Sequence, residues 1–552
     1  MRALLLAPVA VAALALPAAA SASQVTKQAD TDDTHCDSDC SLREAIKYGP
    51  VNDVINVPAG TYHLDMSKGQ LAIDHALTIS GAGPNATIVN ADGHHRVFKI
   101  PSPGATGPVT LRKLQVTGGN GEGEGSGGGI LAYSGYPLTL DHVRLTNNLM
   151  SYTDGADATL TDFGGGGVAV YGALTVTDST IDYNSATETA AAGMMRTGGG
   201  AISVFAGPLS LIRTELRANA ALLLASQTYS PRTVTEDGGG AVFASGAPVS
   251  VTRSTFASNS ALVPKSSSTP TYSGGGGIYA DGGTVTATNS TFSGNGAAVD
   301  AKLFDNGGGG VYTQGANTTL ANVTIAGNRT QNGSNNAGGG IYNYGGPIKA
   351  RDTIFAGNIA DANANCFGSV SSQGHNLDSG NTCGLAGPGD KRNTNPLLGA
   401  LAANGGPTRT QALMRGSPAI NAGLACPAID QRGHSRPRGP ACDIGAFEAD
   451  VPNARTGKAK TVGRHGAKLT GTLNPNGLVT QYRFQFGKTS NYGSKTALKS
   501  AGAGSRTLTR AIAVGHLKPH TRYHYRLVVV NSAGTTLGAD RTFKTKRKKK
   551  RH

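Results

Sequence analysis

The sequence contains no tryptophan, and only 5% of its 552 residues are aromatic. Its 79 glycines follow no strict Gly-X-Y period, which excludes a collagen triple helix. Beyond the N-terminal segment, no apolar run reaches the roughly 18 residues that a transmembrane helix needs. Gly-rich chains with few aromatic residues are often disordered. Here the glycines recur in register with Val, Ile and Leu segments, which indicates ordered repeats.

Residues 1–22 have the pattern of a secretory signal peptide. A basic start is followed by an apolar run, and small residues at 20–22 fit a cleavage site. The alternative interpretation is a buried N-terminal helix, which this pattern makes the less favoured of the two. We therefore expect a protein that is secreted, extracellular or associated with the cell surface.

The chain has only six cysteines, and in an exported protein these favour disulfides over metal sites. No His/Cys spacing resembles a zinc site. Six cysteines permit 15 connectivities, and we favour pairing between neighbours because each pair flanks one local segment. The candidate disulfide residues are Cys36 and Cys40, Cys366 and Cys383, and Cys426 and Cys442.

Positive charge is concentrated at the C-terminal end. Residues 451–552 contain 22 Lys and Arg and one acid, Asp540, which gives +21. Residues 1–450 contain 27 Lys and Arg and 33 Asp and Glu, which gives −6 and restores the total of +15. The two parts of the chain therefore have opposite net charge and are expected to interact with different kinds of partner.

Seven Gly triplets, each followed by an alternating run that ends in asparagine, form an internal repeat. The asparagines are 30 to 40 residues apart, a spacing that predicts a fixed core and an elastic loop. The last glycines of the triplets are Gly129, Gly167, Gly200, Gly240, Gly277, Gly310 and Gly340. The asparagines are Asn148, Asn184, Asn219, Asn259, Asn295, Asn328 and Asn358.

Apolar residues recur three and ten positions before each asparagine, and the residues between them alternate apolar and polar. A period of two indicates strands with one buried face. Stacked repeats would bury those faces in one continuous core. Leucine-rich and propeller consensus patterns are absent, so a parallel β-helix fits best. The glycines are then interpreted as corner residues with unusual φ, and the asparagines as residues that tolerate the left-handed region and bond their equivalents in neighbouring coils.

Both ends of the array have other patterns. Ser41 and Glu44 form a capping box that predicts a short helix over the open end of the stack. A Pro/Gly-rich stretch after Asn358 is interpreted as the opposite cap. From Val451 onwards, alternating segments predict antiparallel strands, and residues 517–523 have a tyrosine-corner arrangement. The last seven residues are a basic tail that is predicted to be disordered.

Several motifs resemble those of known exported bacterial proteins. Residues 40–45, Cys-Ser-Leu-Arg-Glu-Ala, resemble the CSLREA-type N-terminal motif. The repeats resemble right-handed β-helix proteins of the pectin-lyase-like superfamily, and Phe-Ala-Ser-Asn at 256–259 resembles the FxxN repeats of polymorphic outer-membrane proteins. Residues 395–448 resemble the choice-of-anchor Q domain. Residues from 451 onwards resemble a fibronectin type III (Fn3) module without its usual core tryptophan, whose space Tyr482, Phe484 or Phe486 must fill.

These resemblances imply an all-β chain: a right-handed, single-stranded parallel β-helix with end caps, followed by a small antiparallel Fn3-like β-sandwich. The predicted domains are a signal peptide at 1–22, an N-terminal cap with the first coils at 23–108, β-helix repeats at 109–365, a C-terminal cap at 366–449, an Fn3-like domain at 450–545 and a basic tail at 546–552. The β-helix fold hosts lyases, hydrolases and adhesins, so it implies no single chemistry.

Two functions are compatible with this organisation. We favour a non-catalytic surface protein that acts in adhesion or in glycan and wall binding, through the variable loops at 222–236 and 261–273. The alternative is a polysaccharide lyase or glycoside hydrolase, which needs paired carboxylates or a calcium site with a basic residue. Candidate carboxylates before Gly triplets are Asp162, Glu236, Asp237 and Asp305, and a shared repeat position holds Arg213 and Arg253, flanked by Asp178 and Asn289.

No catalytic residue, cofactor or metal ligand is assigned from the sequence. His94-His95 is interpreted as unremarkable, and Glu122 and Glu124 as a solvated loop. Calcium binding at that loop is kept as an alternative. The sequence does not support it, because acidic residues are sparser than in calcium-binding RTX repeats. The expected partners are polysaccharide or an anionic cell-wall polymer, with a host or neighbouring-cell surface as an open alternative. Nucleic acid is disfavoured because basic and aromatic residues do not interleave, and we expect a monomer.

Overall fold

The structure is a computed structural model that describes residues 23–101, 107–121, 125–133, 137–153, 161–190, 195–225, 235–263, 271–299, 307–331, 337–414, 416–504, 506–531 and 533–547. The predicted signal peptide and most of the basic tail lie outside these ranges. The described part is almost entirely β-structure, with long parallel sheets followed by antiparallel ones. The predicted fold class, a parallel β-helix with a C-terminal antiparallel sandwich, is confirmed.

Three long parallel sheets form the β-helix, and each coil contributes to them in turn. Sheets A and B have 11 strands each, and sheet C has 10. Sheet A consists of Asp53–Val57, Leu77–Gly81, Val109–Arg112, Leu138–Asp141, Leu174–Thr177, Leu209–Ile212, Val249–Thr252, Thr284–Thr288, Asn317–Ala321, Ile348–Arg351 and Val370–Ser372. Sheet B consists of Gly60–His63, Thr87–Asn90, Gln115–Thr117, Arg144–Thr146, Thr180–Asp182, Glu215–Arg217, Thr255–Ala257, Thr291–Ser293, Thr324–Ala326, Ile354–Ala356 and Leu377–Asp378. Sheet C consists of Leu71–Ala72, Phe98–Ile100, Ile130–Ala132, Val168–Val170, Ile202–Val204, Val242–Ser245, Ile278–Asp281, Val311–Gln314, Ile341–Tyr344 and Cys366–Phe367.

The predicted apolar positions face inward and stack on their equivalents in neighbouring coils. In sheet A, for example, Leu138, Leu174 and Leu209 are in register. In sheet B, Phe256 and Phe292 are paired with ring centroids 4.6 Å apart. Burial of these residues in one continuous core is what holds the coils together, because an isolated strand of three to five residues cannot bury its apolar face.

The β-helix extends beyond the seven predicted repeats in both directions. The first three strands of sheet A, at Asp53–Val57, Leu77–Gly81 and Val109–Arg112, stack in the same register without a Gly triplet before them. The last strands, at Val370–Ser372 and Leu377–Asp378, lie beyond Asn358. The Gly–Asn pattern therefore marks the middle of a longer solenoid.

The elastic loops between sheets B and C are partly ordered as two further parallel sheets. The segments 222–236 and 261–273, which we predicted to be variable loops, begin and end in these strands, and their central residues lie outside the described part. Sheet D consists of Leu149–Thr153, Ser185–Ala190, Ala220–Ala225, Ser260–Val263, Gly296–Val299 and Arg329–Gln331. Sheet E consists of Thr161–Phe163, Met195–Thr197, Thr235–Gly238 and Thr271–Gly274.

A short α-helix at Leu42–Tyr48 precedes the first coil, and a 3-10 turn follows at Met66–Lys68. Ser41 Oγ accepts a hydrogen bond from the Glu44 backbone, and the Glu44 carboxylate accepts one from the Ser41 backbone, so the predicted capping box is present. The helix buries Leu42, Ala45 and Ile46 against the core of the β-helix. No helix among the described residues has the length and hydrophobicity that crossing a bilayer requires.

Residues 395–450, which we name the strap, follow the last coil but do not simply close its end. They contain a hairpin at Leu398–Ala402 and Thr410–Leu413 and run back along the corner between sheets A and B. Asp352 accepts hydrogen bonds from the backbones of Leu424 and Ala425, and Arg409 forms an ion pair with Glu215 at 2.6 Å. Coils are numbered by their strands in sheets A and B. The strap covers this corner from the end of the β-helix back to the sixth coil, which contains Glu215.

The six cysteines pair with their sequence neighbours as Cys36–Cys40, Cys366–Cys383 and Cys426–Cys442. The first disulfide lies beside the N-terminal helix. The second joins the last strand of sheet C to the segment that follows the final coil. The third closes a loop within the strap, where Asn322 of the β-helix donates a hydrogen bond to Cys426 Sγ.

The C-terminal module contains two packed antiparallel sheets. Tyr482 and Phe484 are buried between them, while Phe486 packs at the margin. The Tyr523 hydroxyl accepts a hydrogen bond from the Lys518 backbone at 3.0 Å, as a tyrosine corner requires. Leu478 and Ala533 pack against the strap. Sheet F consists of Asn453–Thr456, Ala467–Asn474 and Leu508–Val514, and sheet G of Thr480–Gly487, Ser494–Lys495, Lys499–Gly502, Arg522–Val530, Thr535–Leu537 and Arg541–Lys544.

Candidate functional site

The repeated asparagines form a buried ladder along the β-helix. Asn219 Nδ2 donates to Asn259 Oδ1 at 2.9 Å, and Asn259 Nδ2 donates to Asn295 Oδ1 at 2.8 Å. Each side chain also bonds backbone of adjacent coils, as Asn259 Nδ2 does with the Leu216 carbonyl. Our expectation that the asparagine itself adopts the left-handed region is wrong: the positive φ belongs to the preceding residue, such as Ser258 at 56°. The ladder leaves no free group for a ligand.

The Gly triplets are also explained by packing, and only partly by φ. Gly239 has a φ of 65°, as predicted for a corner. The last glycine is required for another reason: a Cβ on Gly200 would lie 2.3 Å from the Ala220 carbonyl oxygen. The backbones of neighbouring segments therefore approach too closely for any side chain.

Sequence reasoning missed a stack of aromatic rings on the outer face of sheet C. The stack is formed by Tyr133, Tyr171, Phe205, Phe243, Tyr279, Tyr312, Tyr342 and Phe367. Tyr279 and Tyr312 have centroids 4.5 Å apart and planes 5° apart, and both are buried. The signal was available, because four of these rings follow a Gly triplet within three residues. From Phe243 to Phe367 the rings are stacked face to face, so we interpret this part of the stack as a structural element.

The charged positions that we singled out lie on the corner between sheets A and B. Arg213 Nε donates to Asp178 Oδ1 at 2.6 Å, so these two predicted residues are brought together. Arg253 and Asn289 have a different role: Arg253 Nε donates to the Gln431 carbonyl, and Asn289 Nδ2 to the Ile429 carbonyl. The strap therefore covers Arg253 and Asn289, in the later coils, and leaves Asp178 and Arg213, in the earlier coils, uncovered.

The open part continues onto the outer face of sheet B. Arg144 and Arg217, from coils on either side, both bind the buried Asp182 through Nε and Nη2. These arginine side chains are 33% and 36% exposed, whereas that of Asp182 is 0% exposed. Tyr183 is 54% exposed, and its ring centroid lies 5.8 Å from the Arg217 guanidinium carbon. We name Arg144, Arg213 and Arg217 the arginine row. It presents guanidinium groups outward and carboxylates inward.

The carboxylates beneath the arginine row are poor proton donors. The hydrogen bond from Arg213 holds the pKa of Asp178 below its usual range. Burial raises the pKa of Asp182, but hydrogen bonds from Arg144 and Arg217 outweigh it, so the pKa is lowered. A glycoside hydrolase that works through a carboxyl pair needs one carboxyl that can hold a proton near neutral pH. Among the described residues, carboxyls with raised pKa are Asp443 and Glu448, which are both buried within the strap.

Asp141, His142 and Asp178 could offer a metal ion three ligand atoms, all within 4.8 Å of one another. His142 Nδ1 lies 2.7 Å from Asp141 Oδ1, and both Asp178 oxygens are engaged by Arg213. A cation would have to displace this guanidinium, so the cluster is better described as part of the charged corner.

The other candidate residues do not converge on a described site. Asp305, Glu122 and Glu124 lie outside the described residues. Asp162, Glu236 and Asp237 lie on strands of sheet E, where Asp162 is aligned with Arg196 and Arg196 with Glu236, but their side chains are outside the described part. His95 lies near the first coils, where its Nδ1 contacts the Arg96 carbonyl oxygen.

Comparison with known proteins gives no family assignment. No protein-family model matches the chain, and no curated protein matches it. Solved structures of a longer and a shorter form of the sensor domain of the anti-sigma factor RsgI4 from Pseudobacteroides cellulosolvens are similar at 22% and 21% identity. Each match covers 18% of this chain and 95% or 97% of the sensor domain, with TM-scores of 0.14 and 0.16. Likeness at this level carries no argument about function, so the site must be interpreted from its own chemistry.

Proposed function

We propose that this protein is a non-catalytic extracellular surface protein that binds an acidic glycan or wall polymer. The observation that carries the proposal is the arginine row. Three guanidinium groups are about one-third exposed, while the carboxylates that orient them lie beneath. Among the described residues, no hydrogen bond engages Nη1 of Arg144, Arg213 or Arg217, so each guanidinium keeps a donor group for a ligand. Guanidinium groups held in this way suit carboxylate, sulfate or phosphate groups on a polymer.

The geometry of the β-helix supports a chain-like ligand. Arg144 and Arg217 are two coils apart on sheet B, and neighbouring strands of a sheet are about 4.8 Å apart. A polymer that follows the helix axis would meet one arginine after another, and the exposed Tyr183 ring lies beside them. The strap leaves this part of the corner open and occupies the same corner in later coils.

The C-terminal module supports attachment to a polyanion. Each basic residue near an anionic surface contributes on the order of 1 kcal/mol at low salt, and screening reduces this contribution. The signal-peptide pattern of the sequence favours a protein held at the cell envelope, as do the resemblances of the N-terminal cap, the strap and the C-terminal module to CSLREA, choice-of-anchor Q and Fn3 segments. The disulfides and the absence of a membrane-crossing helix among the described residues are compatible with that location.

The β-helix site is tested with the Arg144→Gln/Arg213→Gln/Arg217→Gln variant of the mature chain. We expect binding to acidic polysaccharides to fall at least tenfold, because three oriented donors are lost. Arg351→Gln, on the outer face of sheet A in the tenth coil, is a matched control and should bind normally. Unchanged binding by the triple variant would reject the arginine row as the site.

The enzymatic alternative is tested on the same preparation. The mature chain is incubated with pectins, alginates and glycosaminoglycans in the presence of calcium, and unsaturated or reducing ends are measured. We expect no product above that of heat-denatured protein. Product formation would replace the binding proposal by a polysaccharide lyase or glycoside hydrolase.

Attachment is tested by removing residues 451–552. Cell-wall fragments should retain the mature chain at low salt and release the truncated chain. Equal retention of both would show that the basic module is not the anchor.

A further inference from the structure

Two arginines on the outer face of sheet G have no acidic partner within the ranges that the structure describes. Arg526 lies opposite Gln485, and Arg483 lies opposite Val528, so the two arginines are diagonal neighbours on adjacent strands. Diagonal residues on one face of a sheet are about 7–8 Å apart, within reach of long side chains. Among the described residues, neither guanidinium has a carboxylate within ion-pair distance. In a folded protein such a pair is normally separated or neutralised.

Arg526 is held in a fixed orientation. Its Nε donates to Gln485 Oε1 at 2.7 Å, and its guanidinium carbon lies 4.7 Å from the centroid of the Tyr492 ring. The Tyr492 hydroxyl donates in turn to Asp540, which also pairs with His524. Asp540, the single acidic residue of the module, is therefore bound to Tyr492 and His524 and forms no ion pair with Arg526. Among the described residues, no hydrogen bond engages either Nη group of Arg526.

Arg483 carries a charge that no carboxylate in the described part of the chain neutralises. Its Nε is inaccessible to solvent and has no hydrogen-bond partner. A buried, unpaired N–H of a charged group costs free energy. An anion bound at the remaining nitrogens would offset part of this cost by neutralising the guanidinium. Lys495, opposite Gln485 on the other neighbouring strand, adds a third positive group to the same face.

We infer that Arg483 and Arg526 form a binding site for a tetrahedral oxyanion, a phosphate or sulfate group carried by a polymer. A planar carboxylate is satisfied by one guanidinium fork, whereas a tetrahedral group presents oxygens in more than one plane and engages two forks. This inference rests on the proposed attachment through the basic module. To that proposal it adds which face of the module binds the polymer and which chemical group of the polymer is bound.

The charge-conserving variant Arg483→Lys/Arg526→Lys tests the site, because lysine keeps the charge and loses the fork. The mature chain that carries Arg144→Gln/Arg213→Gln/Arg217→Gln, and so lacks the arginine row, is the background for every variant and is titrated with poly(glycerol phosphate), dextran sulfate and polygalacturonate at fixed ionic strength. We expect the variant to bind the phosphate or the sulfate polymer at least tenfold more weakly, and the polymer that loses more affinity identifies the source of the oxyanion. Arg455→Lys, exposed on sheet F, is the matched control and should bind as the background chain does.

Normal binding of both polymers by the double variant would overturn the inference, because the face would then act through charge alone. An equal loss for polygalacturonate would also overturn it, since the preference for a tetrahedral group would be absent. Failure of the broader attachment looks different: in that case the chain without residues 451–552 binds as well as the complete one. The tyrosine circular dichroism of each variant shows that the module is folded.

Discussion

Replacing Asp443 with asparagine is expected to remove a pH dependence from the docking of the strap. Asp443 is 1% exposed, and burial together with the nearby Glu448 raises its pKa to about 7 from an ordinary 3.8. Burial raises the pKa of Glu448 in the same direction. Both carboxyls therefore hold a proton to higher pH in the folded strap than in the unfolded chain.

The sign of the effect follows from linkage. A group with a raised pKa contributes stability that is complete below its unfolded pKa and is lost as pH rises through its folded pKa. For Asp443, stability should be lost between about pH 4 and about pH 7. The difference of about three units between its unfolded and folded pKa corresponds to about 4 kcal/mol of folding free energy. The strap should be most firmly docked in mildly acidic conditions and should loosen towards neutral pH.

Hydrogen exchange measures this directly, because the carboxylate oxygens of Asp443 accept from the backbones of Asn421 and Ala449. After correction for intrinsic exchange, the opening free energy at these amides should fall between pH 4 and 7 in the unmodified chain. Asp443→Asn should be less stable at pH 4, since asparagine offers one acceptor in place of two, but its slope should be flatter. Asp178→Asn is the control, because the pKa of Asp178 is lowered rather than raised and its side chain lies outside the strap, so the slope at Asn421 and Ala449 should not change. Equal slopes in the unmodified and Asp443→Asn chains would refute the reasoning.

Two further substitutions test the framework of the coils. Asn259→Ala leaves the buried Asn219 backbone N–H without its acceptor and removes one partner each from the Asn219 side chain and the Leu216 carbonyl, so local stability should fall by about 2–4 kcal/mol in hydrogen exchange. A change no larger than that of the exposed Asn317→Ala would contradict this. Gly200→Ala places a Cβ against the Ala220 carbonyl, so the yield of folded protein should drop sharply. Normal yield and melting would show that the segments can separate.

The core of the β-helix could be predicted because two constraints repeat with every coil. An apolar residue three or ten positions before the asparagine must face inward, since the period of a strand is two and the distance to the asparagine is constant. Thr318 occupies one of these inward positions although it is polar, and its buried hydroxyl has no partner. The repeat pattern thus predicted that residue 318 faces inward, although a threonine alone would not indicate burial.

The path of the strap could not be predicted, because no periodicity connects it to the coils. Its position depends on single contacts between distant residues, such as Gln431 Nε2 with Thr255 Oγ1 over 176 residues. The Pro/Gly-rich composition indicated an irregular segment and suggested a cap on the end of the stack. In the structure this segment extends along the side of the solenoid, and the end is closed by the residues around Cys383.

The path of the strap also decides which charged residues can bind a ligand. Arg213 and Arg253 occupy equivalent positions in adjacent coils, and their sequences give no reason to treat them differently. Arg253 donates to the strap, and its pKa is lowered by burial, whereas Arg213 pairs with Asp178 at the open corner. The boundary is the ion pair between Arg409 and Glu215, where the strap ends its contact with the coils. A repeat array can therefore supply the same residue twice, once as part of the fold and once for binding, and a distant segment determines which role each copy takes.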